Sequence, residues 1–294
     1  MTADQEAGDP RVSVVVATFN RRAELVHTLD QLACLPERPP VVVVDNGSTD
    51  GSAAAVAKGF PSVQLVVAPV GTGPSARNLG VNLAATPYVA FADDDSWWTA
   101  GSLGRAADLF DRHPRLGLLA ASIMVGPERR IDPVCADMAG SPLAHRASLP
   151  GVPVMGFIAC AAIVRREAFE AVGGFHPLTR FGGEETLLAI DLAEAGWGLA
   201  YVDDLVAVHH PSVVRNAGSR RASELWNRLL RAWLRFPVVP ALRATGQALT
   251  EAAASRCWPL GPLVARNTLS VVRQRAVTGA SVVRDLALIG ELPA

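Results

Sequence analysis

The sequence predicts an α/β fold with a mainly parallel central sheet flanked by helices, followed by a helical C-terminal extension. The first observation is a series of short valine-rich apolar runs, which are typical of strands buried on both faces of a parallel sheet. The second is that segments with helical periodicity lie between these runs, so strand and helix alternate along the chain. The third is an arginine-rich, amphipathic C-terminal part, which predicts surface helices.

Each of the four apolar runs in the first part of the chain is followed by a predicted helix. The runs are VSVVVATFN (12–20), PVVVVDNGSTDGS (40–52, ending in a polar turn), SVQLVVA (62–68) and PYVAFADDD (87–95). The helices follow at 21–34, 52–60, 71–84 and 99–113. Asn20 is in position to cap the first helix, and Pro74 stands near the first turn of the third.

After residue 113 the predicted strands and helices alternate less regularly. They comprise a strand at 116–125, an irregular region at 126–150, a strand and a short helix within 154–175, a helix at 182–197, one or two strands at 199–212 and mostly helical residues at 215–290. Between Arg215 and Asp285 there are twelve arginines, opposed by only three acids. The first two-thirds of the chain is therefore net acidic, since the whole chain has a formal charge of −1.

Composition excludes several classes of protein. The chain of 294 residues is 50% hydrophobic, so it can bury a full core in one large or two smaller domains. Its 4 cysteines are far apart, which predicts neither a zinc site nor disulfides and favours a reducing, cytoplasmic setting. The polar N-terminus does not resemble a secretory signal, and the longest uncharged stretch, 147–164, contains prolines and glycines that argue against a membrane span.

The GxxxxGK[ST] and GxGxxG motifs of P-loop and dinucleotide-binding proteins are both absent. No nucleic-acid-binding motif accompanies the arginines.

Polar side chains cluster where three of the predicted strands end. The clusters are Thr18–Arg21, Asp45–Asp50 and Asp93–Asp95. Because ligands of open α/β sheets bind at the carboxyl ends of the strands, the three clusters predict one site. Carboxylates suit Mg²⁺ or Mn²⁺, and a histidine from the pair His209 and His210 would favour Mn²⁺. The alternative for the three aspartates is an acidic turn that caps the next helix.

Five segments in order resemble the motifs of family-2 glycosyltransferases with a GT-A fold. They are VSVVVATFNR, VVVVDNGSTDGS, GPSARNLGVNLA, FADDD and GGFHPLTRFGGEETLLAIDLAEAGW. The resemblance covers about residues 11–212. It implies a GT-A catalytic domain at 1–214, with a nucleotide-binding half at about 11–98 and an acceptor half at about 99–214, and an extension at 215–294.

The resemblance also implies roles for individual residues. The nucleotide-contacting set is Thr18, Asn20, Arg21, Asp45, Arg77, Asn78, Asp93 and Asp94. Within it, Asp45 would recognise the base, usually uracil, or else cap a turn, and Arg77 would neutralise the diphosphate. Asp93 and Asp95 match the outer acids of the DxD motif, and Asp95 is the favoured metal ligand. His209 or His210 would complete the metal site.

Glu184 and Glu185 match an acidic pair whose second member is the general base of the family. The family has aspartate at this second position, so Glu185 is a departure, and its longer side chain has to reach the acceptor hydroxyl. The alternative is that both acids stabilise a helix N-terminus. A single base and no second nucleophile imply direct displacement, with inversion at the anomeric carbon.

The expected activity is therefore metal-dependent transfer of a sugar from a nucleotide-diphosphate donor, with UDP-sugar favoured, to an acceptor hydroxyl. The acceptor is a glycan, a lipid-linked or a small molecule. A non-catalytic nucleotide- or glycan-binding homologue and a nucleotidyltransferase on a related fold remain alternatives. The arginine-rich helices either contact anionic lipid at the inner face of the membrane or form a solvated tail packed on the catalytic domain.

Overall fold

The computed structural model describes residues 11–211, 217–255 and 260–293. Its strands are β1 (Val12–Thr18), β2 (Val41–Asp45), β3 (Gln64–Val67), β4 (Tyr88–Asp93), β5 (Ser96–Trp98), β6 (Leu116–Val125), β7 (Arg130–Ile131), β8 (Val152–Pro153), β9 (Ala162–Arg165) and β10 (Gly198–His209). Its α-helices are α1 (Arg22–Ala33), α2 (Ser52–Gly59), α3 (Ala76–Leu83), α4 (Ser102–Arg112), α5 (Pro133–Ala139), α6 (Arg166–Ala171), α7 (Glu185–Glu194), α8 (Ala217–Arg235), α9 (Val238–Ala254), α10 (Leu260–Arg273) and α11 (Ala280–Leu288).

One sheet runs through the described part of the chain, in the order β3-β2-β1-β4-β9-β6-β10-β5. The first four strands of this order are parallel, β9 is antiparallel to both its neighbours, and β6 and β10 are parallel again. The sheet is therefore mixed, with its parallel part in the predicted nucleotide-binding half. The strands β1 and β4 are buried almost throughout, which agrees with their continuous apolar sequence.

Strand register brings the polar clusters together. Thr18 is paired with Asp45 across β1 and β2, and Ala17 is paired with Asp93 across β1 and β4. The first two clusters and the aspartate triplet therefore lie at the same edge of the sheet. In the other half of the strand order, His209, the last residue of β10, is paired with Ser96 of β5, which closely follows the aspartate triplet.

The structure corrects two local expectations and decides a third, between one strand and two. Asn20 does not cap α1: its backbone is left-handed, with φ 53°, and its side chain binds the 48–50 loop instead. The segment predicted to be irregular at 126–150 contains β7 and α5, and Asp132 caps α5 by accepting a hydrogen bond from the Val134 N–H at 3.0 Å. Residues 198–209 form one strand with an irregular register between Val202 and Val206, which explains the two strand-like segments in the sequence.

The C-terminal helices α8 to α11 pack on the preceding part of the chain through α7. Leu187 of α7 lies in an apolar cluster with Leu225, Leu229 and Leu230 of α8. Ile190, one turn further along α7, packs with Ala232 and other residues in a second cluster. The predicted domain boundary between 214 and 215 lies outside the described residues and stays a prediction.

No helix in the described ranges is long and apolar enough to cross a membrane.

Candidate active site

The aspartate triplet is held by groups from the end of β1. The Thr18 hydroxyl donates to Asp94 Oδ2 at 3.0 Å, and Arg21 Nη1 donates to Asp94 Oδ1 at 3.2 Å and to Asp95 Oδ2 at 2.7 Å. Burial raises the pKa of Asp94 to about 7, although the charge of Arg21 opposes the shift. Thr18 and Arg21 thus organise the triplet, and Arg21 offsets the repulsion among its carboxylates.

Asp95 and His209 face one another at the edge of the sheet. Asp95 Oδ1 lies 3.4 Å from His209 Nε2, and Asp95 is 5% exposed. Burial alone would raise the pKa of Asp95, but hydrogen bonds and charge from His209 and Arg21 outweigh it and hold this pKa below its ordinary value. The carboxylate is therefore ionised at neutral pH, which is the form that a metal ligand requires.

The side chains of the other predicted metal ligands have different partners, although the His210 N–H donates to the Asp95 carbonyl at 2.8 Å. Asp93 Oδ1 accepts a hydrogen bond from Arg77. His210 packs against Trp97, with ring centroids 4.8 Å apart, and stacks on His27 at 6.4 Å. Within the described ranges no three His, Cys, Asp or Glu side chains gather as a metal cluster. Asp95 and His209 are the two predicted metal ligands whose side chains face one another, with Asp95 Oδ1 and His209 Nε2 3.4 Å apart.

Asp45 and Asn46 present buried polar atoms without partners at the end of β2. Asp45 Oδ1 accepts a hydrogen bond from the Ser48 N–H at 2.8 Å, whereas Asp45 Oδ2 and both amide atoms of Asn46 have no hydrogen-bond partner among the described residues. Asp45 and Asn46 are 1% and 5% exposed. Unpaired buried polar atoms are costly, so three of them together indicate a site completed by a polar ligand. Asn46 was not predicted from the sequence.

The loop after β2 is ordered by its own side chains and by Asn20. The Asn20 side chain accepts a hydrogen bond from the Thr49 N–H at 2.7 Å, and the Asn20 N–H donates to the Ser48 hydroxyl at 2.8 Å. Asp50 accepts from the Arg22 N–H at 2.9 Å and so provides the cap for α1 that Asn20 does not. Asn20 therefore joins the ends of β1 and β2.

Arg77 is buried beneath the site between two acids. It is 2% exposed, its Nη2 donates to Asp93 Oδ1 at 2.6 Å, and its Nη1 lies 3.6 Å from Glu184 Oε1. The rings of Phe175 and Phe181 lie 5.4 and 5.5 Å from its guanidinium carbon. This placement joins the aspartate triplet to the start of α7, and it favours a supporting role for Arg77 over direct contact with a diphosphate.

Asn78 holds a distant loop. Its side-chain oxygen accepts a hydrogen bond from the Phe175 N–H at 3.0 Å, and its amide nitrogen donates to the Phe175 carbonyl at 2.9 Å. This reciprocal pair fixes the segment that leads to α7. Motif matching placed Asn78 near the nucleotide, but sequence alone could not reveal this partner, which is far away along the chain.

Glu184 and Glu185 differ in their surroundings. Glu184 is 3% exposed, accepts a hydrogen bond from the Gly182 N–H at 2.7 Å and faces Arg77. Glu185, the first residue of α7, is only half-buried, and its Oε1 accepts a hydrogen bond from the Ala159 N–H at 3.3 Å. Burial raises the pKa of both carboxyls, and Arg77 opposes both shifts. Glu185 is therefore the more accessible acid, with a basicity above that of an ordinary glutamate.

The fold has counterparts among solved structures. The fold is similar to a mannosyltransferase from Pyrobaculum calidifontis in complex with GDP-Man and Mn²⁺, with a TM-score of 0.57, 21% identity and coverage of 98% of this chain and 86% of that one. It is also similar to S. aureus TarS 1–349 in complex with UDP-GlcNAc, with a TM-score of 0.60, 19% identity and coverage of 83% and 73%. Both likenesses show a GT-A fold.

Sequence comparison gives the family. The family model for glycosyl transferase family 2 matches residues 13–173, which is more than half of the chain. One curated relative is the N-acetylglucosaminyl-diphospho-decaprenol L-rhamnosyltransferase of Mycobacterium tuberculosis, 27% identical over 256 residues that cover 72% of this chain and 79% of the relative. The chain therefore belongs to glycosyl transferase family 2 and is a glycosyltransferase.

Proposed function

We propose that this glycosyltransferase moves a sugar from a nucleoside-diphosphate donor, with UDP-sugar favoured, to an acceptor hydroxyl with inversion, and that it depends on a divalent cation. The observation that carries the proposal is the arrangement at the sheet edge. Asp45 carries an unpaired carboxylate oxygen at the end of β2, and the ionised Asp95 lies beside His209. Arg77 joins Asp93 of the triplet to Glu184, the neighbour of the half-buried Glu185.

The base preference rests on the chemistry of Asp45. A buried carboxylate oxygen accepts hydrogen bonds, so it suits a base edge with a ring N–H, as uracil, thymine and guanine have, and it disfavours an acceptor such as N3 of cytosine. The resemblance to the family favours uracil among the three. The free amide of Asn46 can donate to a carbonyl of the same base and accept from an N–H. Uracil carries both kinds of group.

Asp95 and His209 would hold Mn²⁺ or Mg²⁺, since one ionised carboxylate and one imidazole are suitable donors for a cation that completes its coordination with phosphate oxygens. Such a cation would neutralise the negative charge that develops on the departing diphosphate. The Mn²⁺ in the complex of the mannosyltransferase supports the use of a divalent cation.

Glu185 would act as the general base. Its carboxylate would accept the proton of the acceptor hydroxyl while that oxygen forms a bond to the anomeric carbon and the bond from this carbon to the diphosphate oxygen breaks. Attack from the face opposite the diphosphate inverts the anomeric configuration. Arg77, buried and paired with Glu184, would hold the start of α7 in place during this step.

A panel of UDP-, dTDP-, GDP- and CDP-sugars with Mn²⁺ tests the donor. We expect UDP-sugars to give the largest thermal stabilisation and the largest release of nucleoside diphosphate. NMR of the product then gives the anomeric configuration. Retention of the donor configuration would contradict the proposed displacement, and stabilisation by CDP-sugars alone would contradict the role of Asp45.

We further propose a lipid-linked acceptor reached by peripheral contact with a membrane. The decaprenol-linked acceptor in the name of the tuberculosis relative supports the first part. The faces of α9 and α10 that do not pack on α8 support the second. Their exposed apolar residues are Val238, Val239, Leu242, Leu249, Leu269 and Val272, each at least 55% exposed.

Charge on the same helices favours an anionic surface. Arg243, Arg266 and Arg273 are exposed and have no ion pair among the described residues. The acids of the described C-terminal helices are all ion-paired with arginines, as Glu251 is with Arg228. Apolar side chains beside unpaired arginines are typical of helices that lie in the headgroup region of anionic bilayers.

Flotation with vesicles tests this contact independently of turnover. We expect the protein to bind vesicles that contain phosphatidylglycerol and not vesicles of phosphatidylcholine alone, and added salt should weaken binding. The double variant Arg266→Glu/Arg273→Glu should lose binding, whereas Lys58→Glu, an exposed charge reversal on α2, should retain it. Equal binding of wild type and double variant, or no binding to either vesicle, would contradict the contact.

A further inference from the structure

The loop before α7, residues 178–182, is fastened by two side chains of α8. Trp226 Nε1 donates to the Leu178 carbonyl at 2.7 Å. The Asn227 side-chain oxygen accepts from the Arg180 N–H at 3.0 Å, and its amide nitrogen donates to the carbonyls of Arg180 at 2.5 Å and Gly182 at 2.9 Å. The loop thus receives four hydrogen bonds from two adjacent residues of the C-terminal helix.

The amide of Asn227 is suited to this contact in a way that other side chains are not. It accepts from and donates to the same residue, Arg180, and it is 2% exposed, so water does not compete for its partners. Aspartate could accept but not donate at neutral pH, and leucine could do neither. Either replacement would leave buried backbone groups of the loop without partners.

The fastened loop leads directly to the acidic pair. The Gly182 N–H donates to Glu184 Oε2 at 2.7 Å, so the position of Gly182 helps to place Glu184. Gly182 and Gly183 have positive φ values of 109° and 85°, a conformation that glycine adopts readily and that external contacts have to select. Phe181, between Arg180 and Gly182, lies over the Arg77 guanidinium.

The body of α7 is held by the same helix. Arg235 of α8 pairs with Asp191 through two hydrogen bonds, and Leu187 packs among the leucines of α8. Helix α8 therefore contacts both α7 and the loop before it. Glu185 lies at the junction of these two contacts.

We propose that Asn227 is a positioning residue for the transfer reaction: through the loop 178–182 it sets where Glu185 stands relative to the acceptor hydroxyl. The proposal rests on the proposed function, because it assumes that Glu185 is the base. It makes the C-terminal extension part of the catalytic apparatus, although none of its residues matched a family motif.

The test compares Asn227→Ala and Asn227→Asp with Asn267→Ala. Asn267 lies on α10, and its amide nitrogen donates to Leu263 within the same helix at 2.8 Å, so its removal takes a hydrogen bond from the extension without touching the loop. Turnover is measured with the nucleotide sugar that gives the largest diphosphate release in the donor panel. Calorimetric binding of UDP with Mn²⁺ reports on the nucleotide end.

We expect both Asn227 variants to lower kcat about 10- to 100-fold, since small displacements of a catalytic group have effects of this size. Affinity for UDP should stay unchanged, because Asp45 and Asp95 do not contact this loop. The acid limb of the kcat profile should also move to lower pH, since a loosened loop admits more water to the half-buried Glu185 carboxyl and reduces the cost of its charged form. The charged and titratable groups that act on Glu185 are Glu184, Arg77, Asp93 and Cys160. Asn267→Ala should behave as wild type in all three measurements.

A fall in melting temperature with unchanged kcat and an unchanged pH profile would overturn the proposal, because Asn227 would then be a structural contact only. If the variant does not fold, Asn227→Asp and the milder Trp226→Phe, which removes one hydrogen bond, supply the same comparison. Glu185→Gln, measured in parallel, separates the two claims. Full turnover in Glu185→Gln refutes the proposed base. If Glu185→Gln loses turnover while Asn227→Ala turns over like the wild type, only the positioning role is refuted.

Discussion

The proposed nucleotide end and the proposed acceptor end of the site are held in different ways. At the proposed nucleotide end, Thr18 and Asp45 end two neighbouring parallel strands, and Asp94 directly follows the end of a third. Thr18 binds Asp94, and Asp45 binds its own loop. At the acceptor end, the loop before Glu185 is fastened by Asn78 from α3 and by Asn227 from α8. The first end is therefore built within the sheet, and the second is assembled from segments far apart along the chain.

This contrast has a physical origin. Strand pairing fixes side chains through regular backbone hydrogen bonds, so polar residues at strand ends converge without further help. A glycine-containing loop has no such ladder and takes its conformation from whatever side chains bind its backbone groups. The two ends should consequently respond differently to substitution, and the predictions that follow go from the largest expected effect to the smallest.

Replacing the proposed base should give the largest effect, at the acceptor end alone. Glu185→Gln should lower kcat about 10²- to 10⁴-fold, the usual contribution of a general base, and leave UDP affinity unchanged. In the wild type, kcat should rise with pH through a pKa above the ordinary value of about 4.3, because burial raises the pKa of Glu185. Steady-state kinetics from pH 4 to 9 measures both effects, and unchanged turnover in Glu185→Gln would remove this residue from the role.

Removing the proposed metal ligands should act at the nucleotide end. Asp95→Asn and His209→Ala should each weaken binding of UDP in the presence of Mn²⁺ by at least about tenfold, the lower end of what even outer groups of metal sites contribute. Calorimetry with and without Mn²⁺ measures this loss. His210→Ala is the matched control, because His210 packs against Trp97 and is expected to leave the Mn²⁺ dependence intact. Equal losses in the two histidine variants would contradict the assignment to His209.

Asp45→Ala should weaken nucleotide binding without affecting the response to Mn²⁺. A hydrogen bond to a charged group contributes about 1.5–3 kcal/mol, so we expect about 10- to 100-fold weaker binding of UDP. Asp30→Asn, at an exposed acid of α1, should have no effect. If Asp45→Ala binds UDP as the wild type does, the carboxylate serves the Ser48 turn and not the base.

Replacing Glu184 should mainly change how the melting temperature depends on pH. Burial raises the pKa of Glu184 in the folded state, so the native protein binds this proton more tightly than the unfolded chain. The associated stabilisation is complete below about pH 4.3 and is lost as the pH rises through the folded pKa. In Glu184→Gln the melting temperature should therefore fall less between pH 5 and 9 than in the wild type. A parallel decline in both proteins would show that Glu184 does not carry this proton.

Much of the nucleotide end could be predicted because its signals are local. The valine-rich runs identified β1 to β4, and their polar ends identified Thr18, Asp45 and the aspartate triplet. The same reasoning failed at Asn20. Its side chain was expected to cap α1, but it binds the loop after β2 instead. It also missed α5, whose short sequence between prolines has little helical periodicity.

The sequence alone determined the fold, the family and the set of candidate residues, because hydrophobic periodicity and the order of motifs can be read without knowing which segments contact one another. Only the tertiary structure decided how those residues pair. It placed His209 beside Asp95 and His210 in an aromatic contact, buried Arg77 between Asp93 and Glu184, and left the amide of Asn46 unpaired. Asn227 had no signal at all in the sequence. Its role depends on which backbone groups of a distant loop come within hydrogen-bond distance, and that distance exists only after α8 has packed against α7.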